Sequence, residues 1–412
     1  MKKLLLLASL LMIGSQFALA QPPGDDGKWG IKFHGFVNVD YMFDSRQTIA
    51  AREGHFLLYP KNEVLDANGN DINAVPNFNI LAIRTRLKGI ISAPDVLGAK
   101  TSGVIEGAFF GQSNGDINGF RLRHAFLKLS WKNTFLLLGQ YWHPMFLTEV
   151  FPGTVSFNTG APFEPFSRNP QLRLDHKFSN VHLIFVAASE RDFASTGPSG
   201  TSSIYLRNSA IPMLDLGLKY KTQNVVLGVG GDFKTLRPRL STTGSDDKSY
   251  EADNTITSTS LYAYGKIVAG EFSIKAQGIY GENNYDLLML GGYAVKSISD
   301  ATGSEEYTNV KEMSVWTDLA YGKKVLLGLF FGYTANLGTD DPITGAVYAR
   351  GSNIDNMFRV SPRVVYSVGK VKLAGELEIT STAYGTADEK LNVTNTNNIT
   401  NARVLLAVFY VF

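Results

Sequence analysis

Apolar and polar residues alternate through most of the chain after residue 20. In the first such segment, one set of alternate positions is apolar or small: Ile31, Phe33, Gly35, Val37, Val39, Tyr41 and Phe43. The positions between them include the polar residues Lys32, His34, Asn38 and Asp40. Because successive side chains of a strand point to opposite faces, this pattern predicts a strand with one apolar and one polar face.

The same alternation, with turn-forming residues as boundaries, predicts sixteen strands. They span approximately 31–43, 78–92, 102–111, 120–131, 134–142, 171–178, 181–190, 212–221, 224–234, 256–269, 271–282, 311–321, 324–336, 355–368, 371–385 and 402–412. Segment 286–294 is a rival seventeenth strand, which we assign to a loop.

The connections between these strands alternate in length. The short ones lie at 132–134, 179–180, 222–224, 270–271, 322–323 and 369–370. The long ones span 44–77, 112–119, 143–170, 191–211, 235–255, 283–310, 337–354 and 386–401. Connection 93–101 is longer than the others on its side. Because short turns at one end and long loops at the other are typical of outer-membrane barrels, we predict an all-β fold. It is a transmembrane antiparallel up-and-down β-barrel of about 16 strands, within a range of roughly 14–18.

The first twenty residues have the pattern of a secretory signal peptide. Lys2 and Lys3 precede an apolar run over 4–13, and Ala18-Leu19-Ala20 forms a cleavage pattern of small residues. The apolar run is too short to cross about 30 Å of hydrocarbon as an anchor. We therefore predict a signal peptide at 1–20 and a single barrel domain at 21–412.

The last predicted strand ends on an aromatic residue. Apolar side chains occupy its alternate positions: Val404, Leu406, Val408, Tyr410 and Phe412. This pattern resembles the terminal β-signal of bacterial outer-membrane proteins, with an apolar last strand of a soluble protein as the alternative. We expect the barrel-assembly machinery to be a partner through this strand, and the bacterial outer membrane to be the location.

Composition limits the chemistry that the chain can carry. It contains no Cys, which excludes disulfides and thiolate metal sites. It has 39 basic and 37 acidic residues, and removal of Lys2 and Lys3 with the signal peptide leaves these two numbers equal. A neutral mature chain gives no indication of a nucleic-acid partner. Beyond residue 20, no stretch approaches the roughly 18 consecutive apolar residues of a transmembrane helix.

Basic residues on the polar faces of several strands indicate a water-filled interior. A barrel of 16 strands leaves an aqueous channel, and a charge that faced lipid at mid-depth would cost about 2–4 kcal/mol. The predicted pore-lining residues are Arg84, Arg86, Lys88, Arg121, Arg123, Arg359 and Arg363. Each of them either steers solutes or braces the wall by pairing with Glu376, Glu378 or Asp232.

The connection from Trp142 to Pro170 is long, yet it is rich in apolar residues. Such a loop is expected to pack against something. We predict that it folds into the lumen as a constriction loop, with packing on a neighbouring subunit as the alternative. Its charged residues Glu149, Glu164 and Arg168 would then face the basic row, and opposed charges across a constriction select solutes by charge.

Three segments carry a resemblance to a known family. Residues 121–129, 139–145 and 162–171 resemble segments of porin-like proteins from Bacteroidota, and the whole mature chain resembles the outer-membrane porin superfamily in architecture. More loosely, it is similar to DcaP-type and phosphate-selective porins. The resemblance implies passive diffusion of small hydrophilic solutes and a homotrimer in outer-membrane lipid. The row at Arg84, Arg86 and Lys88 favours anions among these solutes, whereas the acidic loop residues oppose that preference. Segment 21–30 is rich in Gly and Pro, whereas the DcaP type has a coiled coil there.

An enzyme within a barrel is the rival from another class. None of the six His residues lies in an H-E-x-x-H motif, and the sequence contains no G-x-S-x-G motif. We therefore predict no enzymatic activity, no cofactor and no metal. A structural or adhesive barrel closed by its own loops remains the main alternative to a porin.

Overall fold

The computed structural model describes residues 29–111 and 114–412, so the predicted signal peptide lies outside the described residues. Within them, sixteen antiparallel strands form the wall. These are β1 (Gly30–Asp44), β2 (Asn77–Leu81, continued by Arg86–Val96), β3 (Ala99–Ala108), β4 (Arg121–Ser130), β5 (Thr134–Trp142), β6 (Arg168–Phe178), β7 (Val181–Ala188), β8 (Met213–Lys221), β9 (Val225–Leu236), β10 (Ile256–Ala269), β11 (Phe272–Glu282), β12 (Glu305–Tyr321), β13 (Val325–Asn336), β14 (Ile354–Val368), β15 (Val371–Ala387) and β16 (Val393–Val411).

The wall closes on itself between its first and last strands. β1 pairs with β16 over nine residues, from Phe36 opposite Val411 to Asp44 opposite Arg403. Below these pairs, the Gly35 amide donates to the Phe412 carbonyl at 3.2 Å, and the Phe412 amide donates to the Gly35 carbonyl at 3.1 Å. Every other wall strand pairs with its neighbours in sequence. The prediction of an up-and-down barrel of about 16 strands is confirmed.

The two faces of the wall differ in polarity, as the alternation predicts. On β16, Val404, Leu406 and Val408 face outwards and remain 40–57% exposed, whereas Arg403 faces inwards and is 1% exposed. An outer band of apolar side chains around a polar interior is the arrangement of a barrel in lipid. Among the described residues, no helix is both long enough and apolar enough to span a membrane.

The last long loop was predicted wrongly. Connection 386–401 is a turn of only five residues, 388–392, because β15 and β16 continue towards it as a paired hairpin. Ala383 pairs with Asn398, and Thr386 pairs with Thr394. These polar residues lie beyond the apolar band, where a strand does not need hydrophobic alternation. The same reason explains why β12 begins at Glu305, six residues before its predicted start.

The connection that seemed too long at 93–101 is mostly strand. β2 runs to Val96 and β3 begins at Ala99, so only Leu97 and Gly98 form the turn. Both residues have positive φ, 53° and 72°, as a two-residue hairpin turn requires. An irregularity in the pairing between Ala93 and Val96 lengthens the segment.

Smaller elements lie in the connections. They are two short strands at Thr48–Ala51 and Phe56–Pro60, a second pair at Ser241–Thr243 and Ser249–Glu251, further short strands at Gly291–Ile298 and Val347–Arg350, the helix α1 (Ile204–Ser209) and 3-10 turns at Asn114–Asp116 and Tyr285–Leu287. The rival segment 286–294 therefore contains part of a strand. That strand pairs with the start of β12 above the wall and adds no seventeenth wall strand.

Candidate functional site

The connection between β5 and β6, residues 143–167, folds into the lumen of its own barrel. Phe146, Phe157, Phe163 and Phe166 are at most 4% exposed and belong to the main apolar cluster inside the wall. The packing of these rings removes them from water, which explains why an outer loop is so apolar. The predicted inward-folded loop is present. We call residues 143–167 the inner loop.

Side chains of β15 hold the backbone of the inner loop. The amides of Val155 and Ser156 donate to the two carboxylate oxygens of Glu376, at 2.6 and 3.2 Å. The side-chain amide of Asn158 donates to Glu378 at 2.8 Å. These bonds satisfy loop backbone that would otherwise be buried without partners, so the loop has one defined position against the wall.

The two predicted arginines of β14 are engaged in contacts that brace the wall. Arg359 is fully buried; it donates to the carbonyls of Ala161 and Leu58 at 2.8 and 2.7 Å, and lies 3.3 Å from Glu378. Arg363 donates to Asp318 at 2.6 Å. Their donors are directed at loop backbone and carboxylates, and this geometry fits bracing better than solute contact.

A second group of arginines lies inside the barrel around a cavity of about 410 Å³. Arg84, Arg86 and Arg123 line this cavity together with Lys372. Its other lining residues are mostly aromatic: Phe36, Trp142, Phe146, Phe151, Phe157, Phe166 and Phe409. A cationic and aromatic lining attracts anions and presents flat apolar surface beside them. We call this the arginine cavity.

Guanidinium groups and rings alternate along this side of the lumen. The order along the row is Arg168, Trp142, Arg123, Phe110, Arg52, Phe157, Arg84 and Phe409, and each guanidinium carbon lies 4.4–5.9 Å from the ring centroids next to it. Cation–π contacts of this length fix the guanidinium planes without neutralising their charge. The net charge along the row therefore depends on the carboxylates beside it.

Several carboxylates lie near this row, and Asp40 and Glu376 are the ones that act on Arg84. Glu106 accepts from Arg123 at 2.7 Å and lies 3.4 Å from Arg86. Asp192 pairs with both Arg121 and Arg168, the latter through Nε at 2.7 Å. Within the described part of the chain, Arg84 Nε and Arg123 Nη1 have no hydrogen-bond partner. Both nitrogens are themselves buried, so this side of the lumen acts on an anion through its positive charge and not through these two donors.

The acids of the inner loop do not face the arginines, contrary to the sequence prediction. Glu149 pairs with Lys219, at 2.8 Å, and with Lys221, both on β8. Glu164 is fully buried, and neither of its carboxylate oxygens has a hydrogen-bond partner among the described residues. The loop crosses the lumen and delivers these two side chains to the far wall. The predicted opposition of charges across a constriction is thus absent at these residues.

Arg168 and Lys88 lie outside the inner loop. Arg168 is the first residue of β6, fully buried against Asp192, and it joins the arginine row from the wall. Lys88 is half-buried on β2, opposite Glu106 in the strand register.

A shift in the pairing of β3 with β4 at Glu106 allows Arg123 to point inwards. Leu127, further along the same strand, faces outwards and is 41% exposed.

A second inward-folded segment was missed. Residues 48–60, in the connection 44–77 that was predicted to be a long loop, form a hairpin whose second strand, Phe56–Pro60, is entirely buried. The apolar run Phe56-Leu57-Leu58-Tyr59 was the available signal, since four consecutive apolar residues have no reason to lie in an exposed loop. We call residues 48–60 the inner hairpin.

No protein-family model matches the chain, and no curated protein matches it. Solved structures do match. The outer membrane channel DcaP of Acinetobacter baumannii superposes with a TM-score of 0.68 at 19% identity, and 93% of this chain and 97% of that chain are covered. The chain has the fold of the outer-membrane porins.

Other solved structures superpose on the chain with the same fold. The outer-membrane protein OmpT of Vibrio cholerae gives a TM-score of 0.56 at 10% identity, over 93% of this chain and 98% of that chain. OmpF of Salmonella typhi gives 0.51 at 10% identity, over 93% and 97%. Likeness at 10% identity concerns the fold alone, and the chemistry of the lumen is set by this chain's own residues.

Proposed function

We propose that the protein is an outer-membrane porin through which small hydrophilic solutes diffuse passively, with a preference for anions. The observation that carries the proposal is the arginine cavity. Arg84, Arg86, Arg123 and Lys372 line this one cavity, and Arg123 donates to the carboxylate of Glu106. Fixed cations in a low-dielectric wall raise the local concentration of anions and lower that of cations.

The partners follow from the same proposal. Outer-membrane lipid surrounds the apolar band, and small solutes occupy the lumen. The last strand, which closes the wall at Phe412, presents itself to the barrel-assembly machinery. One solved structure of Vibrio cholerae OmpT is described as a trimer form, and a homotrimer is the assembly that we propose here. The proposed activity requires no catalytic step.

Conductance of the refolded mature protein in a planar bilayer tests the proposal. We expect stable single-channel steps, and a reversal potential in a KCl gradient that shows anion preference. Lys372→Gln, inside the arginine cavity, should reduce this preference. Lys370→Gln is the matched control, because Lys370 lies two residues away in an exposed turn. Cation preference of the wild type would overturn the proposed selectivity, but the proposed porin function would stand.

The main alternative is a barrel that its own loops close. Burial of both the inner loop and the inner hairpin favours it, since both fill the lumen with apolar side chains. A sealed barrel would show no conductance from protein that is inserted and folded. The shift in electrophoretic mobility on heating checks folding independently. An absence of current from folded protein would therefore show that the loops close the barrel.

A further inference from the structure

The lipid-facing side of the wall contains a hollow between β8 and β12. Its volume is about 970 Å³, larger than that of the arginine cavity. The side chains around it include Leu216, Leu218, Leu261, Tyr280 and Val315, which are 42–65% exposed and belong to the outer apolar face. The hollow therefore opens towards lipid and not towards the lumen. We call it the outer hollow.

Small residues on two neighbouring strands form the floor of the outer hollow. Ala263 of β10 pairs with Gly278 of β11, and the larger Val229 and Val315 lie beside this pair on the strands to either side. A Cβ added to Gly278 would meet nothing within 4 Å. The outer face is therefore open at this point, where larger side chains would otherwise cover the strands.

A glycine elsewhere on the outer face makes no such hollow. Gly375 of β15 also faces outwards, in alternation with the inward, buried residues Ala374 and Glu376. A Cβ added to Gly375 would lie 3.6 Å from Leu406 and 3.8 Å from Val364, which are ordinary contact distances. Neighbouring side chains therefore cover Gly375, whereas they leave Gly278 open.

Polar side chains lie directly above the outer hollow, on the side of the long loops. The next outward positions on β10, β11 and β12 are Thr259, Glu282 and Lys311. The Thr259 hydroxyl donates to Glu282 at 3.2 Å, and Lys311 Nζ donates to the two carboxylate oxygens of the exposed Asp340, at 2.5 and 2.6 Å. An apolar hollow below a polar, charged edge matches the two parts of a membrane lipid, its acyl chain and its headgroup.

Van der Waals contact is the force that would hold an acyl chain in the outer hollow. The hydrophobic effect does not favour the hollow over bulk lipid, because both surroundings are apolar. An unfilled hollow leaves its lining atoms without neighbours on one side, whereas a slender, flexible chain contacts the floor and both sides. A second barrel fits less well, since its wall would rest on the projecting Leu261 and Tyr280 and leave the floor uncovered.

We propose that the outer hollow binds one lipid of the outer leaflet, with an acyl chain over Ala263 and Gly278 and a headgroup phosphate at Lys311. An ammonium has three donors, and in the described part of the chain Lys311 Nζ donates to Asp340 alone, so it can also bind a phosphate. The proposal goes beyond the porin function, because it concerns the lipid-facing wall and does not depend on conduction.

Native mass spectrometry tests this proposal on the folded barrel, delipidated in detergent and titrated with dipalmitoylphosphatidylglycerol. We expect the wild type to retain one lipid more tightly than any further lipid. Gly278→Phe, which fills the outer hollow, should weaken binding of that lipid severalfold. Lys311→Gln should reduce the preference for this anionic lipid over dipalmitoylphosphatidylcholine. Gly375→Phe is the matched control, because it changes an outward glycine outside the hollow, and it should bind lipid as the wild type does.

Ala263→Phe is the second filling variant, in case Gly278→Phe does not fold. If the filling variants bind the lipid as tightly as the wild type and the control do, only bulk lipid covers the hollow and the inference is overturned. If the filling variants instead lower the number of barrels in the assembly, the occupant is a second copy of the chain, and the inference is overturned as well. The proposed porin function stands in both cases, since conductance tests it separately.

Discussion

Glu149 and Glu164 lie in the same inner loop, and their surroundings shift their pKa values in opposite directions. Burial opposes ionisation of Glu149, but hydrogen bonds from Lys219 and Lys221 prevail and lower its pKa to about 2. Burial raises the pKa of Glu164 well above its usual range, with only small opposing effects from Trp316 and Lys275. Burial therefore favours the neutral form of Glu164, and the two lysines favour the anionic form of Glu149.

We predict that Glu164→Gln makes the barrel more stable than the wild type at pH 8 and leaves it nearly unchanged at pH 4. Below the ordinary Glu pKa of about 4.3, both folded and unfolded states are protonated. As pH rises above it, the unfolded chain ionises while buried Glu164 does not, so wild-type stability falls until pH passes the raised pKa. Thermal unfolding in detergent at the two pH values measures this.

Glu149→Gln is the control with the opposite sign. Its lowered pKa contributes stability above the ordinary Glu pKa that is lost as pH falls towards about 2. The variant should therefore be less stable than the wild type at pH 8. Equal pH dependence of wild type and Glu164→Gln would show that Glu164 is ionised in the folded barrel.

At the scale of elements, one wall side chain binds both inward segments. Arg359 of β14 donates to Ala161 in the inner loop and to Leu58 in the inner hairpin, while it pairs with Glu378. The pair is fully buried. Loss of the arginine would leave a buried carboxylate uncompensated and two buried carbonyls without donors.

We predict that Arg359→Met destabilises the barrel by about 3–5 kcal/mol, the cost of breaking a buried ion pair on one side. The loops should also lose their fixed position, so that open-channel current becomes noisier. Urea unfolding and single-channel recording measure the two effects. The double variant Arg359→Met/Glu378→Met should recover part of the stability, because it removes the unpaired charge. If the double variant recovers no stability, most of the destabilisation comes from the loop carbonyls that lose their hydrogen-bond donors.

The sequence alone predicted the positions of the wall strands better than it predicted the side-chain contacts inside the barrel. Alternation locates a strand because one face contacts lipid, and it located all sixteen wall strands of the described residues. The same rule fails where neither face contacts lipid, as at the top of β15 and β16. It placed arginines inwards, but it could not pair them: the contacts of Arg359 with Leu58 join residues 301 positions apart. The inner hairpin was missed because a polar connection hid a short apolar run.

At the scale of the whole molecule, the barrel depends on one seam between β1 and β16. Gly35 lies at this seam, where an added Cβ would come 2.2 Å from the Arg86 carbonyl oxygen and 2.8 Å from the Phe412 ring. The first of these neighbours is backbone and cannot move without disturbing the pairing of β1 with β2. A side chain at this position therefore acts on closure itself.

We predict that Gly35→Val lowers the yield of folded barrel, because overpacking at the seam costs about 1–3 kcal/mol. The fraction that shows a heat-dependent shift in electrophoretic mobility after refolding measures the yield. Gly278→Val is the matched control: Gly278 is a wall glycine around which an added Cβ meets nothing within 4 Å. Equal yields for the two variants would show that the seam tolerates the clash.

The paired ends of β15 and β16 give the molecule an uneven rim. Their 17 and 19 residues, at about 3.4 Å per residue and a tilt of about 45°, reach a height of roughly 40 Å. The apolar band is only about 25 Å tall, whereas β7 and β8 have 8 and 9 residues. The turn at 388–392 therefore projects beyond the apolar band on one side of the barrel mouth. Residues 388–392 are therefore the part of the β15–β16 hairpin that lies farthest from the lipid.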